Sequence, residues 1–195
     1  FEEAGIKPDI VTLSKSLGGY GLPFAVVLMK PELDTWKPGE HNGTFRGNNF
    51  AFVTAKSAID HYWSDDKFSQ EIKAKGAYVT KRLEHIVNNY GEGNFTACGR
   101  GMFQGINCVN GEIAGQITKR AFQNGLIIET SGADDQVVKF LCPLIISQEN
   151  LGKGIDIVER AIRDVCAKEG SIPEDNDYFD DVKFEEVASP LKKVS

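Results

Sequence analysis

Two short apolar runs, Ile10-Val-Thr-Leu13 and Phe24-Ala-Val-Val-Leu-Met29, flank a glycine-rich connection, Ser14-Lys-Ser-Leu-Gly-Gly-Tyr-Gly-Leu-Pro23. Runs this short and this continuous are too brief for stable helices. They suit strands of a sheet covered on both faces. Helical periodicity follows further along the same chain, so an all-α or all-β fold is excluded and an α/β fold is expected.

The helical signals are strong. Phe50 to Trp63 carries Phe52, Ala55, Ile59 and Tyr62 on one predicted face. Asp65-Asp66 marks a helix start, and the next helix is expected to run to about Asn89 with Phe68, Ile72, Val79, Leu83 and Ile86 inward. Gly91 to Gly93 would end it. Beyond it the reading is one strand over Met102–Cys108, a helix over Glu112–Asn124 closed by Gly125, strands over Leu126–Thr130 and Val137–Ile146, and an amphipathic helix over Glu149–Ala167. These spans divide into residues 1–64, a linking helix 65–90, a small α/β domain 91–170 and an acidic extension 171–195. With seven acids and three lysines, the extension holds most of the formal net charge of −6.

That mild acidity disfavours nonspecific nucleic-acid binding, which needs a basic surface. No apolar run approaches the ~18 residues of a membrane span, and the first ten residues are too mixed and acidic for a secretory leader. Cys98, Cys108, Cys142 and Cys166 form no C-x-x-C pair, and His41, His61 and His85 are scattered, so no metal site is expected. Each cysteine has apolar neighbours in sequence, which predicts buried free thiols and a reducing, cytoplasmic setting.

Two segments carry chemistry. Lys15 follows a strand and precedes a glycine-rich turn, at the end of a sheet where ligand crevices form. Partial burial there would favour a neutral amine able to attack a carbonyl, although a lysine snorkelling at a strand end gives the same pattern. His41-Asn-Gly-Thr-Phe-Arg-Gly-Asn48 places glycines beside Thr44 just ahead of a helix, a plausible anion cradle. It is not a P-loop, and a plain Asn/Gly turn fits it equally well.

Taken together, Pro8-Asp-Ile-Val-Thr-Leu-Ser-Lys-Ser-Leu-Gly-Gly19 and His41 to Asn48 resemble the class III aminotransferases, enzymes of fold-type I that use pyridoxal 5′-phosphate. The order of the motifs and the gap of about 29 residues from Lys15 to Thr44 agree with that family. Gly99-Arg-Gly-Met-Phe-Gln-Gly105 and Val137-Val-Lys-Phe-Leu-Cys-Pro-Leu144 resemble its later segments. Leu22-Pro-Phe-Ala-Val-Val-Leu28 and Lys37-Pro-Gly-Glu-His-Asn-Gly-Thr-Phe-Arg-Gly-Asn-Asn49 are closest to one subgroup. Its members move an amino group from L-glutamate to L-aspartate 4-semialdehyde, in ectoine formation.

The resemblance implies that Lys15 is the Schiff-base lysine. It implies that Thr44 binds the phosphate of a cofactor held by the partner subunit, hence a homodimer or larger with shared sites. Residues 1–64 would be the end of the large cofactor domain. Family chains are roughly twice as long, so a C-terminal fragment, inactive alone, is expected. The alternatives are another class III ω-aminotransferase, of acetylornithine, 4-aminobutyrate or β-alanine type, or a truncated binding or regulatory protein. Two departures stand out. Arg46 replaces a family glycine, and Lys139 replaces the arginine that grips a substrate carboxylate. A lysine supplies a point charge in place of a bidentate fork, so Arg46 is expected to supply part of the missing clamp, unless it serves a structural acid.

Overall fold

In a computed structural model, the described residues are 1, 4–19, 21–90 and 94–167. The acidic extension, Tyr20 and the Gly91–Gly93 helix stop lie outside them. Two compact units divide the chain, Phe1–Phe68 and Ser69 onward.

In the first unit, β1 (Ile10–Ser14) and β2 (Ala25–Met29) pair antiparallel, from Ile10 opposite Met29 to Ser14 opposite Ala25. The expected strands are present, but the expected two-sided burial is not. Ile10, Val27 and Leu28 are all about half exposed. A two-stranded hairpin has no second layer of its own to cover it.

Helix α1 (Asn49–Tyr62) starts at Asn48, whose side chain accepts from the N–H groups of Phe50 and Ala51 at 3.1 and 3.2 Å. Its buried face is Ala51 and Ala55, whereas Phe52 and Ile59, expected inward, are nearly half exposed. The cause is a close approach. A Cβ on Gly19 (φ +77°) would lie 2.6 Å from the Thr54 carbonyl oxygen and 3.0 Å from the Ala58 Cβ. Only the small-residue face of α1 can meet a backbone that near.

The second unit contains most of α2 (Lys67–Tyr90), then β3 (Thr96–Arg100), β4 (Phe103–Asn107), α3 (Gly111–Gln123), β5 (Glu129–Ser131), β6 (Val137–Phe140) and α4 (Gln148–Cys166). Its sheet is antiparallel throughout, in the order β3-β4-β6-β5. Strand β3 corrects the sequence reading, which has a single strand there. Thr-Ala-Cys-Gly-Arg has little intrinsic strand preference, and its pairing with β4 around Gly101 makes it a strand. β5 and β6 are also shorter than expected, Pro143 lying just beyond the second.

Register aligns Ala97, Ile106, Val138 and Thr130 across the sheet. Ile106 and Val138 are fully buried with Leu83, Ile86, Ile117, Ile155 and Ile162. The α2 and α4 faces expected from spacing are those found, though Phe68 is not in this core. Asn110 and Ser147 cap α3 and α4 by accepting from Ile113 N–H (3.0 Å) and Asn150 N–H (3.1 Å).

Gln104 and Arg82, both buried, are hydrogen-bonded. Gln104 accepts from the Thr80 hydroxyl (2.9 Å) and donates to the carbonyls of Gly76 (2.9 Å) and Gly101 (2.6 Å). Arg82 donates to Tyr78 Oη (2.9 Å), Asp156 Oδ1 (2.7 Å) and Glu159 Oε2 (2.9 Å). Burial works against its charge, but those hydrogen bonds outweigh it, so its pKa is raised.

Candidate active site

Lys15 begins a 3₁₀ turn, Lys15–Gly18, directly after β1. Its φ is +58°, a left-handed conformation that costs an ordinary L-residue on the order of 1–3 kcal/mol. The flanks impose it. The β1–β2 ladder fixes Ser14 against Ala25, Gly19 N–H closes the turn on Ser16 O at 3.0 Å, and Thr54 Oγ1 donates to Gly18 O at 2.6 Å. Asp135, in the other unit, is the second non-glycine residue with a positive φ among the described residues (+53°). The Lys15 side chain is exposed, not partly buried as the sequence suggested, because the hairpin around it is open on both faces.

The second motif is a formed turn. Arg46 N–H bonds Gly43 O at 3.1 Å, placing Thr44 and Phe45 at its tip. Thr44 is exposed and Phe45 is 99% exposed. Arg46 folds back over the turn. Its Nη1 donates to His41 O at 2.8 Å, and its Nη2 meets the nitrogen edge of the His41 ring, against Nε2 and 2.8 Å from Nδ1. The ring stacks on Trp36, with centroids 4.5 Å apart and planes inclined by 29°. Gly47 (φ +78°) and the Asn48 cap then lead into α1. The first unit thus presents an exposed amine at a strand end and an exposed hydroxyl at the tip of a glycine-rich turn before a helix.

Lys139 lies in the other unit, on β6, opposite Glu129 on β5 and Gly105 on β4. Its Nζ is 2.7 Å from Glu129 Oε1, and its side chain is 18% exposed against 74% for Glu129. Both residues line a cavity of about 350 Å³ with Leu126, Ile128, Phe140 and Cys142. Burial pushes the Cys142 thiol up. Cys98 is exposed, correcting the expectation that all four thiols are buried. Its partner in the sheet, Gly105, has no side chain to cover it. Among the described residues no cluster of three or more His, Cys, Asp or Glu could hold a metal. No helix there is long and apolar enough to cross a membrane.

Sequence reasoning missed Thr54, Trp36, His41 and Glu129 as supports of these side chains. Glu129 could be found only from the β5–β6 register. Nothing in the local pattern announces the other three.

Comparison with known proteins agrees with this geometry. The sequence profile of the aminotransferase class-III family matches residues 1–162. A diaminobutyrate–2-oxoglutarate transaminase of Vibrio parahaemolyticus is 55% identical over 168 residues, covering 86% of this chain and 40% of that protein. The protein of the same name from Halomonas elongata is 56% identical over 165 residues, covering 84% and 39%. The chain thus spans about two fifths of these relatives. Among solved structures, acetylornithine aminotransferase from Elizabethkingia anophelis is similar with a TM-score of 0.72 and 26% identity, over 84% of this chain and 43% of that one. Ornithine aminotransferase from Plasmodium yoelii, at 23% identity and a TM-score of 0.73 over 84% and 43%, shares the fold. With the strained lysine at a strand end and the threonine turn ahead of α1, these matches show that the chain belongs to the class-III aminotransferases, within the fold-type I transferases that use pyridoxal 5′-phosphate.

Proposed function

We propose that, in a protein of its relatives' length, this chain takes part in transamination between L-glutamate and L-aspartate 4-semialdehyde, giving L-2,4-diaminobutyrate and 2-oxoglutarate. The conformation of Lys15 carries the reading, and the 55–56% identity to transaminases named for this product supports the substrates. Pyridoxal 5′-phosphate supplies an electron sink that lets the Cα–H bond of the amino donor ionise. Lys15 would hold the cofactor aldehyde through Nζ. Freed by the donor amine, the same Nζ would take the proton from the donor Cα and deliver it to the cofactor's aldehyde carbon, as transfer of the amino group requires.

Thr44 offers its hydroxyl to the phosphate of a cofactor in the partner subunit of a homodimer. The nearly full exposure of Phe45 and the 79% exposure of Phe50 beside the turn suit a surface that a second copy covers. Lys139 meets a substrate carboxylate when the solvent-exposed Glu129 gives way. A carboxylate could use Arg46 only by displacing His41. In this reading the first unit is the end of the cofactor domain and the second is the small domain. Free thiols among the described residues suit action in the cytoplasm, and the product suits ectoine formation.

The test is amination by glutamate of aspartate 4-semialdehyde against N-acetylornithine, 4-aminobutyrate and β-alanine as competing partners, using an enzyme of the relatives' full length that carries these residues. Preference for the semialdehyde is expected, and preference for any other substrate overturns the acceptor. Lys15→Ala should abolish both turnover and the visible absorption of bound cofactor. A retained band would move the covalent role to another lysine.

A further inference from the structure

The Gly43–Arg46 turn is held from outside itself. Three flat groups meet beside it: the Trp36 indole stacks on the His41 imidazole, and the Arg46 guanidinium reaches the nitrogen edge of that ring. The guanidinium has one arm on the His41 carbonyl and the other on its ring. The stem of Arg46 runs over Gly43. A Cβ there would lie 3.5 to 3.6 Å from its Cγ, Cδ and Nε, ordinary van der Waals contact, so the stem packs against the turn it spans. The chain is thereby tied before the turn at His41, across it by Arg46 N–H to Gly43 O, and after it by the Asn48 cap. Thr44 and Phe45 are the residues left at the tip.

This arrangement uses both terminal nitrogens of Arg46 within the loop. A substrate carboxylate seeking a bidentate fork would have to break two contacts first. Order imposed on an exposed loop before binding reduces the entropy lost when a ligand arrives. We propose that Arg46 is a positioning residue. Through His41 and Trp36 it pre-forms the turn that presents Thr44 to the cofactor phosphate. The proposal rests on the phosphate-binding reading of Thr44 given above.

The test uses apoenzyme of full relative length and compares its affinity for pyridoxal 5′-phosphate with that for pyridoxal, which lacks the phosphate. Arg46→Ala should weaken pyridoxal 5′-phosphate by about tenfold and leave pyridoxal unchanged. Arg46→Lys should fall with Arg46→Ala, because one ammonium cannot span the carbonyl and the ring. His41→Ala should give the same loss, and Arg46→Ala/His41→Ala no more than either single change, since the two act as a unit. The glutamate KM at saturating cofactor should not follow these losses.

Rescue by Arg46→Lys would make Arg46 a direct charge on the phosphate and overturn the proposal. A raised glutamate KM with unchanged cofactor affinity would make it a substrate clamp and also overturn it. Equal weakening of both cofactor forms, or additive losses in the double variant, would reduce it to a general structural contact. Thr44→Val separates the two levels. If it leaves the preference for the phosphorylated form intact, the phosphate reading itself fails. If it removes that preference while Arg46→Ala does not, only the positioning role fails.

Discussion

Replacing Arg82 by leucine leaves Glu159 buried without the guanidinium that neutralises it. The Arg82 side chain is 4% exposed, and its two carboxylate partners differ: Asp156 is 29% exposed and Glu159 6%. Asp156 can recover water, so losing its pair costs about 1 kcal/mol or less. Glu159 cannot. His85 Nε2 stands 3.9 Å from its other oxygen, beyond hydrogen-bond range. An uncompensated buried charge of this kind costs about 3–5 kcal/mol, and Tyr78 Oη loses a donor as well. We expect Arg82→Leu to cost about 4 kcal/mol in all, a large part of the 5–15 kcal/mol typical of a folded domain. Hydrogen exchange of α2 and α4 peptides should then lose roughly 10³-fold in protection where it reports global opening. Arg82→Leu/Glu159→Leu removes the orphan along with its partner and should recover most of the loss. A cost below about 1 kcal/mol for the single change, or no recovery in the double, would refute the orphaned-charge argument.

Glycine positions give a paired prediction. Gly76→Ala gains about 1 kcal/mol of helix propensity, but its Cβ would lie 2.8 Å from Gly101 Cα, so overpacking of about 1–3 kcal/mol should win and lower the urea midpoint. Gly115→Ala meets nothing within 4 Å and should raise it. Burial, with Cys166 nearby, pushes the Cys108 thiol up to about 11 from its ordinary 9.0. The unfolded chain therefore ionises first, and stability should fall by about 3 kcal/mol between roughly pH 9 and 11. Cys108→Ala should flatten that fall in urea midpoints measured across the range. Asn48→Ala removes the acceptor for two N–H groups and should cost about 1 kcal/mol, seen as faster exchange at the start of α1.

The helices of the second unit were readable because two independent signals coincide. Ile155, Val158 and Ile162 recur at helical spacing, and Gly125, expected to close α3, stands just past its end with a left-handed backbone. Strand β3 was hidden because its five residues carry no pattern without their partner β4. The face of α1 was misread for a related reason. Hydrophobicity favours Phe52 and Ile59, but a glycine turn arriving at van der Waals range selects Ala51 and Ala55. At the site, the residue types and their spacing were visible in Lys15 and Thr44. The left-handed backbone of Lys15 was not, because Ala25 and Thr54, outside its motif, help to hold it; nor was the return of Arg46 onto His41, which depends on side-chain torsions that a residue pattern does not carry.

Both tryptophans of the chain, Trp36 and Trp63, fall in the first unit. Indole emission therefore watches one half of the molecule, while tyrosines such as Tyr78 and Tyr90 lie in the other. Trp36 is also in ring contact with His41, so its light output will change whenever that stack opens. A titration followed at indole wavelengths thus has a built-in optical probe beside the Thr44 turn, blind to events around Arg82. Melting followed by indole emission and by hydrogen exchange of α4 would separate wherever the two units unfold at different temperatures, with no dye attached.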